Sequence, residues 1–456
     1  MATRLLIVSH EAPGERMSGP AIRYWQLAQA LAGHADVTLA VPGTTPLTPT
    51  GFRLAAYARD TGAGLEPLVA AAEVLLVAGY VLRHYPALAR APQPCVVDLY
   101  DPFVLENLEI HANRPLPDQA AQHRVDLAVQ TDLLRRGDFF ICASEQQRDY
   151  WLGMLSAAGR VNPYTFAADP ALRALIDVVA FGVPDAPPEP GPGALKGVVP
   201  GIGAGDQVVY WGGGLWEWFD PLTAVRAVAA LAARRPTVRL VFAGVRHPNP
   251  AVPPVRRVAE TQALSNDLGL TGKHVFFGEW VPYAERARYL QDADVALSLH
   301  LDHVETRFAF RTRLLDYLWA RLPFLGTSGD SLGETFAAAG CAQLVPPHDL
   351  DDWIAAFRES YTNAVERENM RAAASMLAEQ WVWEKVAQPL IAFCAHPRRL
   401  PAITPAADAR VAELQAALDE RGRYVEHVER EYQRAVAALQ QHERGIIARV
   451  RRRFKV

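Results

Sequence analysis

The chain has 456 residues, half of them apolar and 21% charged, with a formal net charge of −4. That length exceeds what one hydrophobic core usually serves, so two domains with appendages are expected. The mild acidity leaves no footprint for a nucleic-acid partner, and no run of 18 apolar residues is present to span a membrane.

The opening MATRLLIVSHEAP carries an apolar run too short for a secretion signal and meets Glu11 at once. Arg4–His10 reads as a buried strand, followed by the loop EAPGERMSGP and by helical spacing of apolar residues over Ala21–Ala35 (Ile22, Trp25, Leu27, Ala28, Leu31). Further strands are expected at Asp36–Val41, Val74–Ala78, Cys95–Leu99, Phe139–Ala143 and Ile176–Ala180, with helical stretches between most of them. Short apolar strands separated by helices imply a parallel sheet covered on both faces. The stretch 185–206, DAPPEPGPGALKGVVPGIGAGD, breaks this rhythm and reads as a Pro/Gly-rich linker.

The alternation restarts with strands at Val208–Trp211, Arg239–Ala243, His274–Phe277, Val295–Leu299, Pro323–Thr327 and Gln343–Val345. The expected fold class is therefore α/β, two Rossmann-like doubly wound domains facing a cleft. From Ala407 onward, Val411, Leu414, Leu418, Val425, Val428, Tyr432, Ala435, Leu439 and Ile446 recur on alternating steps of three and four. That spacing predicts a coiled coil or long helix over 407–448, before a basic tail over 449–456. Pairing with a second copy is one use of the heptads; packing on the chain's own body is the other. The tail's Arg449, Arg451, Arg452, Arg453 and Lys455 suit contact with anionic lipid or plain solvation. Cys95, Cys142, Cys341 and Cys394 form no CxxC pair, as expected of buried free thiols in a reducing cytoplasm.

Ligands of open parallel sheets bind beyond the carboxyl ends of strands, so the loops there are where chemistry is sought. In VVYWGGGLWEWFDP, Gly212, Gly213 and Gly214 follow a strand directly, which serves either a tight turn or close approach of amides to an anion. Asp220 is placed to cap the helix opening at Pro221. Neither GxGxxG nor GxxxxGK[ST] occurs, which disfavours dinucleotide and P-loop readings. In ETRFAFRTRLLDYLWARLPFLGT, Glu305, Arg307, Arg311 and Arg313 crowd the start of a helix that Thr312 is expected to cap, with Asp316 in its first turns. Guanidinium groups at a strand's end suit bidentate capture of phosphate. Gly19 and Pro20 immediately precede the first helix. Asp98 and Asp101 end the strand in CVVDLYDPF, where one carboxylate is free to cap the next helix. His10 sits at another strand end.

Taken together these residues resemble a retaining glycosyltransferase of family 4, with the GT-B fold, over roughly residues 4 to 395. The resemblance implies transfer of a sugar from a nucleotide-diphosphate sugar with retained configuration, no cofactor and no required metal. It assigns 1–184 to an acceptor domain, 207–380 to a donor-binding domain and 381–400 to a helix crossing back to the first domain. Gly19 matches the family's glycine loop near the donor phosphate, and Gly212–Gly214 match the loop opening the donor domain. Trp280 and Val281 fall near the base-recognition loop. Asp316 takes the place of the family's second acidic residue, which accepts ribose hydroxyls.

Three departures from the family pattern fall on donor contacts. Phe308 stands eight residues before Asp316 where a glutamate is usual, and the nearest glutamate is Glu305. The first donor-domain loop, WGGGLWEWF, lacks the usual Arg and Lys, and Tyr100 precedes Asp101 where a histidine is frequent. Arg311 and Arg313, with Arg307 and Arg246, are the expected replacements for the missing cations. Asp101 is the expected positioner of an acceptor hydroxyl, with His10 and Tyr100 beside the acceptor. The acceptor is expected to be a saccharide or lipid-linked, in cell-surface polysaccharide or glycolipid assembly. A nucleotide-sugar epimerase and a non-catalytic nucleotide-sugar-binding scaffold are the alternatives.

Overall fold

The structure, a computed structural model, describes residues 2–249, 252, 254–347, 350–401 and 406–454. Residues 1–400 form one compact unit and 401–456 a second. The first unit carries two parallel sheets. One has the strands β1 (Arg4–Val8), β2 (Asp36–Pro42), β3 (Arg53–Tyr57), β4 (Val74–Ala78), β5 (Cys95–Asp98), β6 (Phe139–Cys142) and β7 (Ile176–Val178), in the order β3-β2-β1-β4-β5-β6-β7. The other has β8 (Gln207–Trp211), β9 (Val238–Ala243), β10 (Val275–Gly278), β11 (Val295–Ser298), β12 (Phe324–Thr327) and β13 (Ala342–Val345), in the order β10-β9-β8-β11-β12-β13.

Each sheet is buried on both faces, which is why its central strands are unbroken apolar runs; β4, VLLVA, is buried throughout. Successive residues of β1 serve opposite cores: Leu5 and Ile7 pack on one face, Leu6 and Val8 on the other. Strand order reverses between β1 and β4 in the first sheet and between β8 and β11 in the second. Those reversals splay the following loops and open a crevice at the carboxyl ends of the strands.

The strand pattern had one gap. β3 lies at the sheet edge, and of RLAAY only Tyr57 is buried, so solvation removed the apolar signal. The first helix spans Gly19–Leu31, opening two residues before the expected start and closing four before the expected end. Beyond β13, the chain returns to the first sheet. Val183 N–H donates to Trp381 O (2.8 Å), and the Phe393 ring stacks on Phe139 at 4.8 Å. All four cysteines are buried and free.

In the second unit, Ala406–Phe454 is one helix of 49 residues, about 74 Å long. Within that unit Leu414, Leu418, Val425, Val428, Tyr432 and Leu439 are all exposed. The side chains of the basic tail 449–456 lie outside the described residues. No helix among the described residues is long and apolar enough to cross a membrane.

A candidate active-site cleft

β8 leads directly into Gly212, Gly213 and Gly214, which line a cavity of about 390 Å³ between the two lobes. Gly213 has φ +74°, and Gly244, at the end of β9, has φ +105°. A Cβ on Gly244 would lie 3.0 Å from the Gly213 carbonyl carbon and 3.2 Å from the Trp280 ring. Two loops and an indole therefore close on one another only because side chains are absent there. The Gly212 amide is already spent, donating to Tyr317 Oη (2.9 Å), which in turn donates to Leu297 O (2.9 Å). Gly212 therefore has no amide proton left to offer a ligand. Asp220 caps the helix Pro221–Ala232 as expected, accepting from Thr223 N–H.

The arginines divide sharply. Arg311 and Arg313 both line the cavity, but Arg311 already grips the buried Glu305 through both terminal nitrogens. Arg313 donates from Nη2 to Gly214 O (2.7 Å) and lies over the rings of Phe219 (4.1 Å) and Trp211 (5.4 Å). Its Nη1 is buried with no hydrogen-bond partner. Burial and the neighbouring Arg311 charge pull its pKa down to about 10. Arg313 thus brings a cation to the glycine loop from the connection that follows β11.

Asp316 lines the same cavity and accepts from Arg286 Nε (3.0 Å). The Arg286 guanidinium lies over the rings of Tyr283 (3.6 Å) and Trp319 (4.3 Å), an arrangement that fixes the carboxylate's partner. Thr312 lines the cavity but makes no side-chain cap to the helix Arg313–Trp319: its backbone is already helical, which turns the hydroxyl away from the free amides.

From the first lobe, Gly19 opens the helix Gly19–Leu31 toward the cavity, behind Ser18, whose hydroxyl donates to Glu11. The two lobes are tied along this edge. Trp280 Nε1 donates to Met17 O (3.1 Å), Arg16 Nε to Trp280 O (2.7 Å), and Tyr283 N–H to Glu15 O (2.7 Å). Gln147, fully buried, ties them elsewhere by donating to both Tyr100 O and Phe308 O at 2.8 Å.

Asp98 is a framework group. Arg23 donates to it from Nε (2.5 Å) and Nη2 (3.0 Å), and both side chains are fully buried. Neither Asp98 nor Asp101 caps the helix Phe103–Ile110, which begins after Pro102 without a side-chain cap. Asp101 lines the cavity beside Glu106, and its Oδ1 is buried without a partner. Burial, offset by a hydrogen bond with Glu106 and reinforced by the charges of Glu305 and Asp98, pushes its pKa up to about 6. Glu106 is held well above the usual carboxylate range by burial and by Asp101.

Three expected donor residues fall elsewhere. Arg246 is 80% exposed and pairs with Glu279 at 3.6 Å, because Gly244 turns the chain outward before it. Arg307 is exposed on the helix Val304–Phe308. Glu305 is buried under Arg311 and does not line the cavity. Trp280 and Val281 do line it. His10 lines a separate cavity of the first lobe, which Tyr100 and Asp101 also border. Arg286, Glu106 and Gln147 were missed: none sits in a sequence pattern that distinguishes it from an ordinary helix residue.

No protein-family model and no curated protein sequence matches the chain. Solved structures do. Sucrose-phosphate synthase from Thermosynechococcus elongatus is 17% identical, over 85% of this chain and 97% of that one, with a TM-score of 0.57. HepE of Anabaena, in complex with UDP and glucose, is 15% identical over 86% and 99%, with a TM-score of 0.57. A putative UDP-N-acetylglucosamine 2-epimerase from Listeria monocytogenes is 12% identical over 89% and 100%, with a TM-score of 0.50. At these identities the likeness establishes the fold: two facing Rossmann-like lobes, the GT-B architecture.

Proposed function

We propose that this chain is a glycosyltransferase that moves a sugar from a nucleotide-diphosphate sugar to a saccharide or lipid-linked acceptor, with retention of configuration. The observation carrying this reading is Arg313, a half-buried cation whose Nη1 is buried and unsatisfied, held against the glycine loop in an interlobe cavity. A buried guanidinium nitrogen without an acceptor is costly to maintain unless an anion completes it. A pyrophosphate between Gly19, Gly213, Gly214 and Arg313 does so. The same groups stabilise the charge that develops on the leaving diphosphate. Asp316 is offered to ribose hydroxyls and the Trp280–Val281 turn to the base. The bound UDP of HepE supports such a donor. Asp101 accepts a hydrogen bond from the attacking hydroxyl, and attack on the face the diphosphate leaves preserves the anomeric configuration. The positive charge is supplied by arginine, so this reading assigns no metal. Its setting would be cell-surface polysaccharide or glycolipid assembly, with the chain paired through its C-terminal helix.

The test is incubation with a panel of labelled nucleotide sugars, with and without glycoside and lipid-linked acceptors. Transfer predicts release of nucleoside diphosphate that depends on acceptor, with label in the product. Conversion of donor to its epimer without acceptor would establish the epimerase reading instead. Tight binding with no turnover would leave a scaffold.

A further inference from the structure

The first lobe holds a second cavity, of about 520 Å³, at the carboxyl ends of β1, β4 and β5. This is the point where strand order reverses, and the cavity meets the interlobe one only at Tyr100 and Asp101. Its wall is aromatic. The Tyr80 ring lies 5.4 Å from Phe103 and stacks with His84 at 6.0 Å. Tyr80 Oη is committed, donating to Asp126 (2.6 Å) and accepting from Asn107 (3.3 Å), so the ring is fixed and offers an apolar surface. Tyr85 is held likewise, through its hydroxyl on Arg59 O (2.6 Å).

The polar groups are few and unspent. His10 Nδ1 and Asp101 Oδ1 are buried without partners. Burial lowers the His10 pKa, which keeps the ring neutral and able to donate or accept. Among the described lining residues, Arg59 is the one cation not committed to an ion pair. Asp60 and Asp101 line the same cavity and outweigh its charge, while Asp98 is neutralised by Arg23. The cavity therefore has no net attraction for an anion. An apolar wall with a few aimed polar atoms is how small ligands are oriented.

We infer that this cavity receives an uncharged pyranose ring of the acceptor, its carbon face on Tyr80 and Phe103 and one hydroxyl directed to Asp101, and that it disfavours uronates and sugar phosphates. The inference rests on the transferase reading, but binding tests it without turnover. Saturation-transfer NMR on the full chain, with no nucleotide sugar present, would compare neutral methyl hexopyranosides with methyl glucuronide and glucose 6-phosphate. UDP binding would be measured in parallel. At least one neutral glycoside should bind; Tyr80→Ala should weaken it about five- to tenfold, and Tyr80→Phe should leave it within about twofold. UDP affinity should be unchanged in both variants. Equal or tighter binding of the charged sugars, insensitivity to Tyr80→Ala, or no glycoside binding overturns the inference. Absence of UDP binding in the wild type with glycoside binding intact would exclude a uridine nucleotide as the donor and leave this inference standing.

Discussion

Arg311 holds Glu305 by two parallel hydrogen bonds, Nη1 to Oε1 at 2.8 Å and Nη2 to Oε2 at 2.6 Å, with both side chains buried. Such a pair is chiefly architectural: it joins the helix Val304–Phe308 to the connection leading into the helix Arg313–Trp319. Removing one partner leaves the other as an uncompensated buried charge. Arg311→Ala should therefore cost about 3–5 kcal/mol in denaturant unfolding. Adding Glu305→Gln should recover a large part of it. Wild-type stability in Arg311→Ala would show that the arginine is not structural.

Arg313 should behave in the opposite sense. Its buried, unpartnered Nη1 destabilises the empty protein and favours an anion. Arg313→Ala should lose donor-nucleotide affinity by roughly 1.5–3 kcal/mol, about ten- to 150-fold, while the unfolding midpoint holds or rises. Calorimetric titration with nucleoside diphosphates, beside thermal unfolding, separates these effects. An unchanged affinity would remove Arg313 from the donor site.

The two-lobed α/β fold was legible because parallel strands buried on both faces must be continuous apolar runs, as β4 and β11 are. Several site residues were also legible. Gly19, Gly213, Gly214, Trp280 and Asp316 sit on loops or first helical turns at strand ends, where open parallel sheets form their crevice, and all line the cleft. The fate of four neighbouring charges was not. Nothing in ETRFAFRTR distinguishes Arg311, folded onto Glu305, from Arg313 in the cavity or Arg307 in solvent. That depends on a helical break at Ala309, after the helix Val304–Phe308, which redirects the chain. Arg286 and Glu106 were invisible for a related reason: each works through a partner distant in sequence or exposed only by helix geometry.

Asp101 sets a pH dependence with two opposite signs. Burial pushes its pKa up to about 6, beside a Glu106 that burial and the Asp101 charge hold well above the usual carboxylate range. Activity that needs the carboxylate should fall as pH drops through about 6, approaching tenfold per unit, and Asp101→Asn should abolish that limb. Stability runs the other way. A carboxyl whose folded pKa exceeds its unfolded value of 3.8 stabilises the fold below that value and loses the contribution as pH rises through 6. Asp101→Asn should thus unfold at a higher temperature than wild type at pH 8, while transferring sugar poorly. A variant that is active with an unshifted acid limb would exclude Asp101 as the hydroxyl's partner.

The C-terminal helix offers the last prediction. Along Ala406–Phe454, Leu414, Leu418, Val425, Val428, Tyr432 and Leu439 fall on steps of three, four or seven, forming one stripe, and each is exposed within its own unit. A stripe repeating every 3.5 residues buries itself most economically against another such stripe, as in a coiled coil. Sedimentation should find the full chain dimeric at micromolar concentration. Truncation after residue 400 should yield a monomer whose unfolding midpoint matches the parent's first transition, since residues 1–400 form a compact unit without the helix. Leu418→Asp with Val425→Asp should dissociate the dimer equally well. Glycosyl transfer to a small soluble acceptor should survive all of these changes, because every group in the cleft belongs to the first unit. A full-length chain that sediments as a monomer would assign the helix to some use other than self-association.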